Sequence, residues 1–538
     1  MRYLPLAVAV SMLLLAACQP SQSPPVTQAQ TASKPASDFT FAEASVADLQ
    51  RQMAAGTLSS HTLTSAYLDR IAAIDRSGPT LHSVLTTNPN ALEEADALDA
   101  ERKAGTVRGP LHGIPVLIKD NIDATPMANT AGSLALADYH PKNDAFLIQK
   151  LRAAGAVILG KTNLSEWANF RSSRSISGWS AVGGQTKNPY ALDRNPCGSS
   201  AGTGTAIAAN LAAVGVGTET DGSIICPSSV AGLVGLKPTV GLVSRSGIIP
   251  ISISQDTAGP MTRSVADAAA LLTAMAAPDP QDPASSERKN TAAIDYTQHL
   301  KANALKGARI GVVRQLMGYR PEVNRLMEDA IVKLKAAGAT VVDAEIPTLG
   351  QWGEAEYTML QYELKDGLQR YLVAGNAPYR SLSEIIAFNK RNADAEMPLF
   401  GQEVFEQANA LGPLSTPEYI TLRDKVRRLA GPEGIDVALH KQQLDALVAP
   451  ATAPAWPTDP VNGDHYAAGG YGAASAARYP SLTVPMGDVH GLPVGLVLMG
   501  TAWSEPRLIE LGYAFEQATH ARKPPQLLPT VAPSKDAH

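Results

Sequence analysis

The sequence predicts an α/β fold in which helices cover a central β-sheet, and three observations carry that reading. A helix-periodic stretch, a glycine stop and a short apolar strand follow one another at residues 145–153, Gly155 and 156–159. The same grammar returns at 322–337, Gly338 and 339–342, with another apolar strand at 309–313. The 43 glycines and 39 prolines suit a loop-rich α/β chain better than a helical bundle.

Taken in order, residues 45–73 read as helices, because Val46, Leu49 and Met53, then Leu63, Tyr67, Leu68 and Ile71, recur at helical spacing. A longer helix is expected over about 89–104. Residues 202–213 are Ala, Thr, Gly, Ile, Leu and one Asn without charge, a helix with no polar stripe that belongs in the interior. It feeds a short strand at 214–217. The stretch from about 351 to 442 is richer in charge and aromatics and mostly helical, as an insertion or cap would be. Leu447-Val448, residues 482–485 and residues 494–499 read as late strands, and residues 504–519 as a closing helix.

The N-terminus is set apart from this fold. Arg2 is a minimal positive segment, residues 4–15 are apolar except for Pro5 and Ser11, and Leu15-Ala16-Ala17-Cys18 follows. Residues 1–17 are therefore expected to be a secretory leader, too short to span a bilayer. The four residues resemble the bacterial lipobox, which implies lipidation of Cys18 and anchorage at the periplasmic side of a membrane. Gln19 after the cysteine fits the outer membrane. Residues 18–38 would then be the lipidated cysteine and a flexible polar tether. The other two cysteines, Cys197 and Cys226, form either a disulfide in an oxidising compartment or two buried thiols. A net charge of −5 with no basic block excludes a nucleic-acid surface, and the lack of CxxC or HExxH leaves a metal site without support.

The chemistry lies in three places. Ile114-Pro115-Val116-Leu117-Ile118 is an apolar run that ends at Lys119. Ser199-Ser200 lies in a small-residue segment, and Ser223 follows Thr220-Asp221-Gly222. A serine hydroxyl needs a base, and a lysine can serve only when desolvation brings its pKa down towards the working pH. A second serine can carry the proton between them, and glycine-flanked backbone N–H groups can hold an oxyanion. A rival pattern is Gly198-Ser199-Ser200-Ala201-Gly202, which satisfies G-x-S-x-G with Ser200 as nucleophile. That elbow requires an apolar strand before it, and residues 188–196 are polar and twice interrupted by proline. The reading is a serine hydrolase that does not use histidine.

These residues resemble the amidase signature family from about Phe41 to Pro525. Gly113 to Asn121 matches its lysine motif, and residues 198–227 match its glycine- and serine-rich signature. Gly160-Lys161-Thr162-Asn163, Gly235-Leu236-Lys237-Pro238-Thr239 and Asp256-Thr257-Ala258-Gly259-Pro260-Met261 look like its neighbouring motifs. The resemblance implies one α/β/α domain over about residues 39–530, built on a mixed central sheet, with no cofactor. It implies Ser223 as acyl-forming nucleophile, Ser199 as a bridging serine after a cis peptide, Lys119 as base, and the N–H groups of Thr220, Asp221, Gly222 and Ser223 as oxyanion hole. The chain departs from the family at Ala201 and Asp221, where many members have glycine, and at Ile225, where many have arginine. Asp221 would oppose an oxyanion unless its carboxylate faces elsewhere, and the lost arginine would alter pocket polarity. The peptide amidase branch is the nearer one, from Thr-Glu-Thr-Asp-Gly-Ser-Ile and from Thr501-Ala502-Trp503-Ser504-Glu505-Pro506. It implies a monomer that hydrolyses the C-terminal carboxamide of a peptide to acid and ammonia. The alternatives are a broad acylamide or ester hydrolase of the same mechanism, and a solute-binding lipoprotein on the same fold.

Overall fold

Thirteen strands appear among the residues that the computed structural model describes, 39–288 and 292–531. They are β1 (Val84–Thr87), β2 (Pro115–Lys119), β3 (Val157–Thr162), β4 (Trp179–Ser180), β5 (Gly184–Gln185), β6 (Val214–Glu219), β7 (Val234–Lys237), β8 (Thr257–Thr262), β9 (Arg309–Val313), β10 (Thr340–Ala344), β11 (Ala446–Pro450), β12 (Ser481–Val489) and β13 (Leu492–Met499). Eleven form one sheet in the order β1-β3-β2-β6-β8-β7-β12-β13-β11-β9-β10, and β4 and β5 pair separately. The sheet is mixed: β3, β2 and β6 run parallel, as do β11, β9 and β10, with antiparallel pairs between these blocks. This is the expected α/β architecture. The leader, Cys18 and tether expected over residues 1–38 lie outside the described residues.

Both faces of the sheet are covered, and strand alternation divides the apolar residues between them. Ala446 and Val448 of β11 and Val494, Leu496 and Leu498 of β13 pack into the larger core with the helices Val265–Met275, Pro321–Ala336 and Glu505–Thr519. Their neighbours Leu447, Ala449, Val497 and Met499 point into a second core, shared with the helices Gly353–Ala374, Pro417–Ala430 and Asp436–Gln442. Residues 353–442 are thus mostly helical. No helix among the described residues is long and apolar enough to cross a membrane.

Two departures from the sequence reading bear on the site. The helix expected over 202–213 runs only from Ala201 to Ala208. Asn210 turns left-handed at φ 59°, and its amide pairs with Glu43, accepting from the backbone N–H at 2.8 Å and donating to Oε1 at 2.9 Å. Arg263 donates to the carbonyls of Ile207 and Ala212, which satisfies the freed helix end. The chain can then enter β6, which continues to Glu219 rather than stopping at Gly217.

Candidate active site

Parallel pairing of β2 with β6 matches Ile118 to Val216, so the carboxyl ends of both strands bring Lys119 beside Thr218. Crevices at such strand ends are where α/β sheets bind ligands. Lys119 Nζ lies 2.8 Å from Ser199 Oγ, 2.9 Å from Thr218 Oγ1 and 3.3 Å from the Thr218 carbonyl. Its side chain is fully buried. Burial pushes its pKa from 10.5 down to about 7, against the opposing charges of Asp256 and Glu219. A neutral amine has two N–H bonds and one lone pair. The two Thr218 oxygens can take the N–H bonds, which leaves the lone pair for the Ser199 hydroxyl. Asn121 Nδ2 donates to Thr218 Oγ1 at 3.0 Å and holds that threonine in place.

Ser199 follows a cis peptide bond from Gly198. A Cβ on Gly198 would lie 2.2 Å from Ser165 Oγ, so a larger residue there would have to displace that hydroxyl. Ser200, the rival nucleophile, is fully buried and its hydroxyl is already committed. It donates to the Thr218 carbonyl at 3.0 Å and accepts from the Thr218 N–H at 3.2 Å. The Ser200 N–H donates to the Ser223 carbonyl at 3.2 Å, which ties the two serine segments together. A disulfide between Cys197 and Cys226 makes the same tie covalently and resolves the alternatives the sequence left open.

Ser223 lines a cleft of about 600 Å³ and is 8 % exposed. Among the described residues its hydroxyl has no hydrogen-bond partner, so the link from Ser223 Oγ to Ser199 Oγ is not closed in this structure. Hydrogen bonds of this kind often tighten only once substrate is bound. The backbone N–H groups of Thr220, Asp221, Gly222 and Ser223 likewise find no acceptor among the described residues. Gly222 sits at φ 80°, where a Cβ would fall 2.1 Å from the Tyr471 ring. Four consecutive free donors beside a serine at a cleft can receive a developing negative oxygen.

Sequence reasoning missed the residue that fixes this loop. Glu219 is buried at the end of β6; its Oε2 accepts from the N–H groups of Ile224 at 2.8 Å and Ile225 at 3.0 Å, and its Oε1 from Ser475 Oγ at 2.9 Å. Glu219 lies inside the signature run, so a buried acid next to a glycine loop was the available signal; nothing in sequence pointed to Ser475. Two motif lysines act as anchors. Lys161 pairs with Asp120 at 2.8 Å and donates to Asn129 Oδ1 at 3.0 Å, while Lys237 donates to the Pro238 carbonyl at 3.3 Å. Asn163 secures the neighbouring loops by donating to the Gly184 carbonyl and Thr186 Oγ1.

Two family departures resolve differently. Ile225 is fully buried in the second core and does not line the cleft, so its effect on pocket polarity is not direct. The Asp221 carboxyl does open onto the cleft. Protein nonetheless surrounds it closely enough that burial, with the Glu219 charge, raises its pKa to about 6.

The Amidase family model matches residues 62–509. A probable amidase of Arabidopsis thaliana is 40% identical over 504 residues, covering 91% of this chain and 93% of that protein. Among solved structures, the native peptide amidase of Stenotrophomonas maltophilia is similar at 59% identity and a TM-score of 0.89, covering 91% of this chain and 99% of that one. An amidase family protein from Bacillus anthracis is similar at 37% identity and a TM-score of 0.81, covering 90% and 92%. With a family model spanning most of its length and relatives matched nearly end to end, this chain belongs to the amidase signature family.

Proposed function

We propose that the chain hydrolyses the C-terminal carboxamide of peptides, releasing ammonia, with Ser223, Ser199 and Lys119 as its catalytic set. The observation that carries the reading is the buried Lys119 amine, 2.8 Å from Ser199 Oγ with a pKa held near 7. The likeness to a peptide amidase, one of whose structures holds the competitive inhibitor chymostatin, supports the choice of substrate.

In this mechanism Ser223 Oγ attacks the amide carbon as its proton passes to Ser199 Oγ and the Ser199 proton passes to Lys119 Nζ. The carbonyl oxygen takes up negative charge against the free N–H groups of residues 220–223. Collapse breaks the C–N bond, and the proton returns through Ser199 to the leaving nitrogen, which departs as ammonia. Water then attacks the acyl ester by the same relay, and the acid leaves with Ser223 restored. Treatment with a fluorophosphonate probe tests the assignment: Ser223 is labelled, and Ser223→Ala loses both labelling and about 10⁴–10⁶ of ammonia release from peptide amides. Retained turnover in Ser223→Ala, with loss in Ser200→Ala, restores the elbow reading.

The lipobox-like segment supports placement of the enzyme at the periplasmic face of a membrane, held there through Cys18. The buried disulfide suits such an oxidising compartment. Cys18→Ser is expected to move the activity from the membrane fraction to the soluble fraction; unchanged fractionation refutes the anchor.

A further inference from the structure

The cleft in front of Ser223 is one-sided in its ionisable side chains. Its walls carry Asp221, Glu356 and Asp464, and no lysine, arginine or histidine is among its lining residues. Among the described residues none of these three carboxylates forms an ion pair. Asp464 is spent on the protein, accepting from the Ser177 N–H at 3.1 Å, Asn195 Nδ2 at 2.8 Å and Trp456 Nε1 at 3.3 Å. Glu356 has one partner, Gln255 Nε2 at 2.7 Å on Oε1. Asp221 is exposed to the cleft two residues before Ser223.

The Asp221 carboxyl disturbs its neighbour Glu356. Burial holds the Glu356 pKa well above the usual range, and the Asp221 charge raises it further. The buried Lys237 ammonium relieves Asp221 less than burial and Glu219 burden it. A cation arriving with substrate would favour the ionised form of both carboxyls and pair with them. Tyr357, Trp456 and Tyr466 stand in the same walls, and aromatic rings also favour a cation. An independent feature points to substrate there: Ser223, more than nine-tenths buried and with a hydroxyl that has no protein partner, lines the same cleft.

We infer that Asp221 and Glu356 are specificity-determining residues that select amides whose acyl part carries a positive charge, an α-ammonium or a basic side chain. The inference rests on the amide-hydrolase reading of the site and names its substrate class. Acidic acyl parts are excluded by the same field.

The test is calorimetric binding to full-length Ser223→Ala of four dipeptide amides: lysyl- and norleucyl-leucinamide, each with a free and an acetylated N-terminus. The cationic members bind about tenfold or more tightly than the doubly neutral one, and high salt shrinks the gap. Comparison of the free and acetylated pairs tells which ammonium is read. Adding Glu356→Gln, or Asp221→Asn where that variant fails to fold, reduces the ratio to less than about threefold. Equal binding of charged and neutral amides, no binding, or a ratio intact in both variants overturns the inference. Ammonia release from the same amides by the unsubstituted enzyme keeps the two readings apart. Turnover without charge preference sinks the specificity alone, whereas charge-dependent binding without ammonia sinks the peptide-amide reading.

Discussion

Lowering the pH is the most direct perturbation of a lysine base, and the structure fixes where its effect must fall. A pKa of about 7 leaves about half of Lys119 neutral at pH 7 and about one-tenth at pH 6; at its ordinary value of 10.5 less than one part in a thousand would be neutral at pH 7. The fall from 10.5 to about 7 corresponds to about 5 kcal/mol of preference for the uncharged form, as expected of a fully buried amine whose neighbours only partly oppose desolvation. The assay is kcat/KM for ammonia release from pH 5 to 9, which reports the free enzyme. An acid limb of unit slope near pH 7 is expected, with a plateau above pH 8. Asp221 and Asp256, both raised to about 6, titrate close by, so the limb is followed with temperature. An amine limb moves strongly because its ionisation is endothermic, whereas a carboxyl limb barely moves. The sign also holds for stability. Between pH 7 and 10.5 the unfolded lysine keeps a proton that the folded one has lost, so stability rises with pH across that window, and Lys119→Met removes that part of the slope. A flat profile from pH 5.5 to 8.5, or a limb insensitive to temperature, refutes the lysine base.

Two further outcomes follow from neighbouring contacts. Replacing Cys197 and Cys226 together by serine reopens a loop of sequence separation 29 and is expected to cost about 3–4 kcal/mol in denaturant unfolding; a loss below about 1 kcal/mol shows the loops to be held by other contacts. Glu219→Gln removes a charge that favours the Lys119 ammonium, so the acid limb moves below pH 7, while weaker anchoring of Ile224 and Ile225 lowers the plateau about tenfold; a limb that moves up, or an unchanged plateau, contradicts this dual role.

Legibility from sequence followed the physics of each segment. The strands β2, β3, β9 and β13 are short apolar runs beside a glycine or a helix, and the periodicity showed them directly. Strand β8 was not legible, because Gly259-Pro260 in its centre reads as a turn. There Gly259 is needed since a Cβ would fall 2.1 Å from the Leu236 carbonyl. The helix after Ser200 was overextended because its apolar composition continues to Ala213, while its actual end depends on Glu43, 167 positions away from Asn210. Lys119, Ser199 and Ser223 were legible because their motifs are local. The acidity of the cleft was not, because Glu356 and Asp464 come from distant segments that meet Asp221 only in the folded chain.

The same contrast explains how one interior can hold a readily deprotonated amine among acids. Lys119 lies within the field of Asp256 and Glu219, and both would keep it charged if nothing else acted. Asp256 is instead occupied by its own donors: Thr220 Oγ1 at 2.6 Å and the N–H groups of Ile251 and Ser252 at 2.9 and 2.8 Å. Glu219 is occupied by Ile224, Ile225 and Ser475. Neither carboxylate forms a direct hydrogen bond with the amine, whose contacts are Ser199 and Thr218. Acids satisfied by backbone and hydroxyl donors shape the loop around Ser223 and leave desolvation as the dominant influence on Lys119. A direct ion pair in their place would fix the ammonium and remove the base. Giving the carboxylates and the amine separate hydrogen-bond partners is therefore what allows loop anchoring and proton transfer to share one site.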